Sequence, residues 1–479
     1  MPEDGALTRQ GALVWGGAVG ANPHLFLLDA HEQGAPAARR EFALDASVLV
    51  ADTAAGDSGP LLALVQNAIG IEILAFDPLT LIDSQPLIPA WTHSLGSAGV
   101  APRLVTDEAG TTLASALYLP AQGRVQLDVF AAETGLLTAQ QLLPGAALDA
   151  LVLSGDGSRV AIAAGLDLYV LDRTGAVLMH AALSSSTRAL ALARDGSTLA
   201  VGRVGALDVW RDGPGGWNQQ PSLPAHPSQA QSPNWLPVRV ALDAEGDSLA
   251  VGWWNHASGF EAAFEIWQGN VRRRRLAQSD PGLGLQNLPS FVSIASGGGR
   301  AAFGCWGNGI DPEAWLLDRD DPARDYPMDL PGSARSAQLD ASGSRILVAH
   351  RDAHENGFGS TGAVRLYDTG ERRLQQIGSA QPGGNLDLIA SRPGASLALF
   401  LIGEPAPPLA ILGVNGRLLL ERSSLAVQIA PVDADGQAQL SLPLPLNSAW
   451  VGSSIGAQAA FRHAGQTELL EVLARPFVF

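Results

Sequence analysis

Short apolar segments recur along this chain at a spacing of about 40–50 residues, each closing on a turn that holds glycine beside an acid or a serine. Self-similarity of this kind constrains the fold more than any other feature, because a unit too small to bury its own apolar face must stack on copies of itself. The clearest copies are ALDALVLSGDGSRVAIAAGLDLYVLDRTGAVLMHAAL at 147–183 and TRALALARDGSTLAVGRVGALDVW at 187–210. Each reads as a strand, an Asp-Gly turn, a second strand, a short loop, an alternating third strand that ends near Asp or Trp, and an outer strand. The hairpin turns fall at Asp107-Glu108-Ala109-Gly110, Gly155-Asp156-Gly157-Ser158, Arg194-Asp195-Gly196-Ser197, Ala244-Glu245-Gly246-Asp247, Ser296-Gly297-Gly298-Gly299 and Ala341-Ser342-Gly343-Ser344. Third strands are expected at 25–29, 73–77, 127–130, 166–172, 207–210, 264–267, 314–318 and 364–368, which implies about eight units.

In an all-β chain this period is that of a β-propeller blade. The pieces DGSRVAI and LDVW resemble the repeats of WD-repeat-like and TolB-like bacterial propellers, and ALVWGGAVGANPHLFLLD at 12–29 is similar to a YVTN-type repeat. The resemblance covers roughly residues 10–380. The expected architecture is therefore a seven- or eight-bladed propeller, eight preferred, over residues 1–380, followed by a small β-sandwich-like domain over 381–479. The first unit reads as though it lacks an inner strand, so ring closure is expected to borrow one from the far end of the propeller segment.

Beyond about residue 383 the spacing changes. The turn Asp433-Ala434-Asp435-Gly436-Gln437, the alternating AQLSLPLPL at 438–446 and VGSSIGAQAAF at 451–461 resemble a C-terminal β-domain of secreted planctomycete and myxobacterial proteins. That resemblance implies export, to a secreted or cell-surface location. The chain opens Met1-Pro2-Glu3-Asp4-Gly5 without a basic and then apolar leader, so the alternatives are a cytoplasmic protein or a mature form whose signal has been removed.

Charge narrows the partners. Thirty cationic residues, all of them arginine, face 47 acids for a net charge of −17, which argues against nucleic acid as a ligand. The one basic run, Arg272-Arg273-Arg274-Arg275, reads as a solvated edge strand that resists aggregation, with a docking patch as the alternative. With 46% hydrophobic and 16% charged residues the chain is not a disordered one, and no apolar run reaches the roughly 18 residues of a membrane span. Cys305 is the single cysteine, so no intramolecular disulfide forms, and it reads as a small buried residue.

Two serine motifs point weakly to hydrolysis. Gly56-Asp57-Ser58-Gly59-Pro60 is similar to a trypsin-type nucleophile loop but lacks the second glycine, and only 57 residues precede Ser58 to supply a His and an Asp. Gly452-Ser453-Ser454-Ile455-Gly456 fits G-x-S-x-G, yet the residues after it are strand-like and do not suggest the helix such an elbow needs. Asp433-Ala434-Asp435-Gly436 opens like a calcium loop without the glutamate that would close one, so it is read as a turn.

The loops between second and third strands of three successive units carry more chemistry. They hold Trp253, Trp254, Asn255 and His256, then Trp306 and Asn308, then His350, Asp352, His354 and Phe358. In a propeller these loops emerge at one end of the disc, where aromatic faces supply contact area and Asn, Asp and His supply directional hydrogen bonds. Wedging of the tryptophans between blades is the competing reading, and 350, 352 and 354 would share one face of an extended segment as metal-compatible groups. The functional expectation is an exported, non-catalytic binding or assembly module, its partner a protein or small polar ligand at the loop face, with no cofactor and no metal. The alternatives are a homo-oligomeric subunit of a surface layer or filament, and a propeller enzyme using His256, His350, Asp352 and His354.

Overall fold

In the computed structural model the chain divides into two compact units, the larger formed by Met1–Ala30 with Arg39–Tyr367 and the smaller chiefly by Asp368–Phe479. The structure describes residues 59–67, 70–77, 88–96, 99–223, 234–341 and 345–357 almost completely, and elsewhere mainly the backbone of strands.

Among the described residues the larger unit is a succession of antiparallel sheets, seven of four strands and a last one of three, each built from strands consecutive in sequence. All eight expected third strands stand third in their sheets, for example His24–Asp29, Arg124–Ala131 and Gly362–Asp368. The first sheet departs from expectation. Pro2–Leu7 supplies its inner strand and pairs with Leu13–Ala18. That strand lies beside Leu49–Ala55 of the second sheet and beside Ala334–Leu339 and Arg345–Arg351 of the last, so closure needs no borrowed strand. Its sequence, PEDGAL, has no apolar alternation; it is held by the sheets on either side rather than by its own β-propensity.

Second strands explain why the apolar runs are continuous. Arg159–Ala164 and Arg300–Cys305 are buried along nearly their whole length because a neighbouring sheet covers each face. The core is accordingly a series of layers between sheets: Leu127 and Val129 of the third sheet pack with Val160 and Ile162 of the fourth, and Phe264 of the sixth meets Phe303 of the seventh at 5.1 Å.

The hairpin turns fix the distance between sheets. Each closes through the amide of its glycine, Gly110 donating to the Asp107 carbonyl at 3.1 Å and Gly246 to that of Asp243 at 3.2 Å. Where the first residue is Asp its carboxylate caps the turn, Asp243 Oδ1 accepting from the amides of Asp247 and Ser248 at 2.9 and 3.0 Å. A second set of bonds runs from sheet to sheet. The Glu108 amide donates to the Gly155 carbonyl, Asp156 to Arg194, Arg194 to Ala244, Ala244 to Ser296 and Ser296 to Ala341, at 2.8–3.2 Å. Six consecutive turns are thereby tied in line.

Gly246 shows what the turn requires. Its φ of +71° favours glycine, and a Cβ there would lie 2.5 Å from the Thr198 side chain of the preceding sheet. Gly269, with φ +54°, has nothing within 4 Å. Gly246→Ala should therefore lower the unfolding free energy by about 2–4 kcal/mol, combining backbone strain with overpacking, and Gly269→Ala by about 1–2 kcal/mol from strain alone. Chemical denaturation of both variants checks the difference.

The smaller unit is also all β. Arg373–Ile377, Asn385–Ser391 and Gln437–Pro443 form one sheet, and Leu397–Gly403, Ala426–Pro431 and Ser454–His463 form the centre of a second. Leu388, Ala390 and Ala438 from the first share one core with Phe400, Ala430 and Phe461 from the second.

Candidate functional site

The three loops converge through side chains outside them. In the long connection from the sixth sheet to the seventh, the Asn287 amide donates to the Gly259 carbonyl at 3.1 Å, and Asn287 Oδ1 accepts from the Gly307 amide at 3.1 Å. The Gly307 carbonyl lies 3.0 Å from His354 Nε2. Segments around 255, 308 and 354 are thus joined in one line through Asn287, which is fully buried. Buried Gln278 anchors this centre, accepting from Asn287 Nδ2 at 2.7 Å and donating to the Pro312 carbonyl at 2.9 Å. Every bond is to backbone or to a neutral side chain, so the network positions the loops without burying net charge.

The residues singled out from sequence divide into supports and surface. Trp253 is wholly buried because it lies in the second strand Ser248–Asn255, covered on both faces, and its indole N–H donates to Glu265 at 2.9 Å. It belongs to the core between sheets. Asn308 is also buried, donating to Asp311 and to the Ser279 carbonyl while its Oδ1 accepts the amides of Ile310 and Asp311. Trp306 is half-buried, and its carbonyl accepts from Ser333 Oγ at 2.7 Å. Trp254 is half-buried with its indole N–H on the Gly259 carbonyl, Asn255 donates to Glu261 at 2.6 Å, and His256 is exposed with Nδ1 on the Asn234 carbonyl. Asp352 is exposed, and Phe358 lies outside the described residues.

The extended His350-Asp352-His354 face does not form, because the strand ends at Arg351 and the chain bends at 352 and 353. His350 is buried, with Nδ1 3.1 Å from the Arg351 carbonyl. His354 Nε2 faces two carbonyls, so it carries the proton, and Nδ1 accepts the Asn356 amide; both ring nitrogens are committed to the loop. Among the described residues no three His, Cys, Asp or Glu side chains gather as metal ligands. Ser58 and 433–436 lie outside the described residues, while Ser454 begins a strand, Ser454–His463, instead of standing at an elbow.

The arginine run occupies Val271–Gln278, the outermost strand of its sheet. Arg272 and Arg275 reach inward to Glu265 Oε1 at 3.0 and 3.1 Å, while Arg274 pairs with Asp325 and Arg273 bonds Gln268. Glu265 also accepts both Trp253 and Trp267 at Oε2, and burial raises its pKa against the pull of the two arginines. Sequence reasoning missed Glu265, although an acid inside the apolar segment FEIW was the available signal, matched by Asp208 in LDVW. It missed Asn287, which lies in an irregular connection, and Gln278, the last residue of the outer strand Val271–Gln278, for lack of any signal.

Glu313, at the end of the middle loop, is buried and accepts the Leu330 amide at 2.8 Å. Burial lifts its carboxyl to about 7, the Leu330 N–H opposes that, and the charges of Asp329 and Asp311 add to the rise. A carboxyl whose folded pKa exceeds its unfolded one favours the native state most in the protonated form. The native state should gain stability as pH falls from about 7 towards about 4.5, by up to about 3 kcal/mol. Glu313→Gln should flatten the wild-type difference between pH 8 and pH 5, as read from urea unfolding at each pH.

No protein-family model matches the chain, and no match is found among curated proteins. Among solved structures the chain is similar to Sqt1 of Chaetomium thermophilum, determined bound to the N-terminus of the ribosomal protein L10. That likeness has 13% identity and a TM-score of 0.53 over 76% of this chain and 96% of that one. It is also similar to the β-propeller domain of Cps50 (Swd1) from Myceliophteria thermophila, with 14% identity and a TM-score of 0.44 over 64% of this chain and 94% of that one. The repeated four-stranded antiparallel sheets are those of a β-propeller.

Proposed function

We propose that this chain is a non-catalytic binding or assembly module, an eight-bladed propeller that recognises a protein partner at the loop face of its sixth, seventh and eighth blades. The observation that carries the reading is the Asn287 bridge, which holds three loops in one arrangement before any partner arrives. Binding then spares most of the entropy that ordering mobile loops would cost. Trp254, His256 and Asp352 are the candidate contacts, with Trp253, Asn308 and His354 supporting them from beneath. Exposed Ile310 on the middle loop and Leu283 on the adjoining connection add apolar area. The similar propeller Sqt1 was determined with a protein segment bound, which supports a peptide or protein partner here. Export to the cell surface belongs to this proposal through the C-terminal segment, as does a role for that segment in assembly.

The reading is tested by placing a photo-reactive side chain at position 256 or 310 and, as control, at 178 on an outer strand. Irradiation in an extract of the source cells should give one adduct of defined mass from 256 and 310 and none from 178. Equal labelling at all three positions would contradict a dedicated loop face.

A further inference from the structure

Three arginines stand on first strands of the propeller sheets, with Asp52 of the second sheet accepting the Leu104 amide beside Arg103 at 2.9 Å. Arg103, Arg188 and Arg239 lie on the first strands of the third, fifth and sixth sheets, Val100–Thr106, Thr187–Leu192 and Trp235–Leu242. All three are exposed, while Leu104, Ala189, Val238 and Val240 beside them are buried. Arg103 and Arg239 each stand four residues before the first residue of their turn, Asp107 and Asp243, the same level as Phe291 before Ala295. Phe291 lines a cavity of about 280 Å³ that opens between the turns.

Arg239 donates to the Ser290 carbonyl of the next sheet at 2.6 Å and to the Val238 carbonyl at 2.7 Å. Burial draws its pKa down and the charge of Arg103 draws it down further. Residues on first strands from the second sheet to the eighth line the cavity, so these strands face a common channel. Arg103 stands on the third sheet and Arg239 on the sixth, with two sheets between them in the order of the chain. Among the described residues neither Arg103 nor Arg239 has a carboxylate within 4 Å, and Arg188 is balanced in part by Asp149, whose pKa its charge lowers against burial.

We propose that the channel binds a small polyvalent oxyanion, carrying phosphate or carboxylate groups, bridged by Arg103 and Arg239 at the end nearest the loops. Strand pairing sets that end, since Trp235 lies opposite Asn255 and Arg239 opposite Gly252. Guanidinium groups offer planar, paired donors to such anions and cannot relieve their mutual repulsion by deprotonating. An anion supplies the missing charge. The turn end of the channel is lined by Asp107, Glu108, Asp243 and Arg194, with Arg194 paired to Glu108 at 3.0 Å. The site consists of strand residues and stands apart from the loop-face reading.

The test uses the full chain and follows thermal unfolding with inorganic phosphate, succinate or chloride at matched ionic strength. Phosphate or succinate should raise the midpoint saturably, and whichever acts identifies the phosphoryl or carboxylate source. Arg103→Gln should weaken that binding at least tenfold while Arg273→Gln, on the outer edge, leaves it unchanged. Without added anion Arg103→Gln should melt no lower than the parent, because a repulsion has been removed. A rise no larger than that given by chloride, or one retained in Arg103→Gln, would overturn the site.

Discussion

One backbone hydrogen bond, repeated from turn to turn, sets the geometry on which everything else depends. From the third sheet to the seventh, each presents an amide at its inner hairpin to a carbonyl in the turn of the next, and the glycine in that turn lets the two approach. The bonds fix spacing while apolar layers supply the driving force, since Leu, Val, Ala and Phe side chains fill the space that the turns define. A Cβ at those glycines would push neighbouring sheets apart and open every layer above.

Charge buried within the sheets is the second organising element. Asp128, Asp208 and Glu265 occupy third strands and are almost wholly buried, each met by donors from neighbouring strands. Glu265 takes two indoles and two guanidinium groups, which converts a run of four arginines from a loose basic edge into the outer wall of a polar cluster. Breaking such a cluster by removing the carboxylate would strand two cations and is expected to cost several kcal/mol.

The repeats were legible because they rest on local chemistry. A glycine at positive φ and an alternating strand ending in Asp or Trp are written in the residues themselves, so all eight third strands and the six turns could be read directly. Pro2–Leu7 could not, because its neighbours determine its conformation. The convergence of the three loops followed from the repeat, but the division of their residues did not. Trp253 and Asn308 look like surface groups until strand ends are known to a single residue, and Asn287 joins the loops from a segment without periodicity. The channel arginines were hidden for a related reason: a lone Arg in an apolar strand becomes informative only when another sheet carries a second one into the same channel.

Amide hydrogen exchange at the inner turns tests the account most directly. The Arg194 amide belongs to an exposed residue in a hairpin turn and is ordinarily expected to exchange fast, as are those of Glu108, Asp156, Ala244 and Ser296 near it in the ring. If these five amides tie the sheets together, they will be protected to nearly the level of the buried strands and will open with them. Exchange at the rate of free turns would mean that the sheets are not joined there, and the shared loop face and the channel site would both lose their footing.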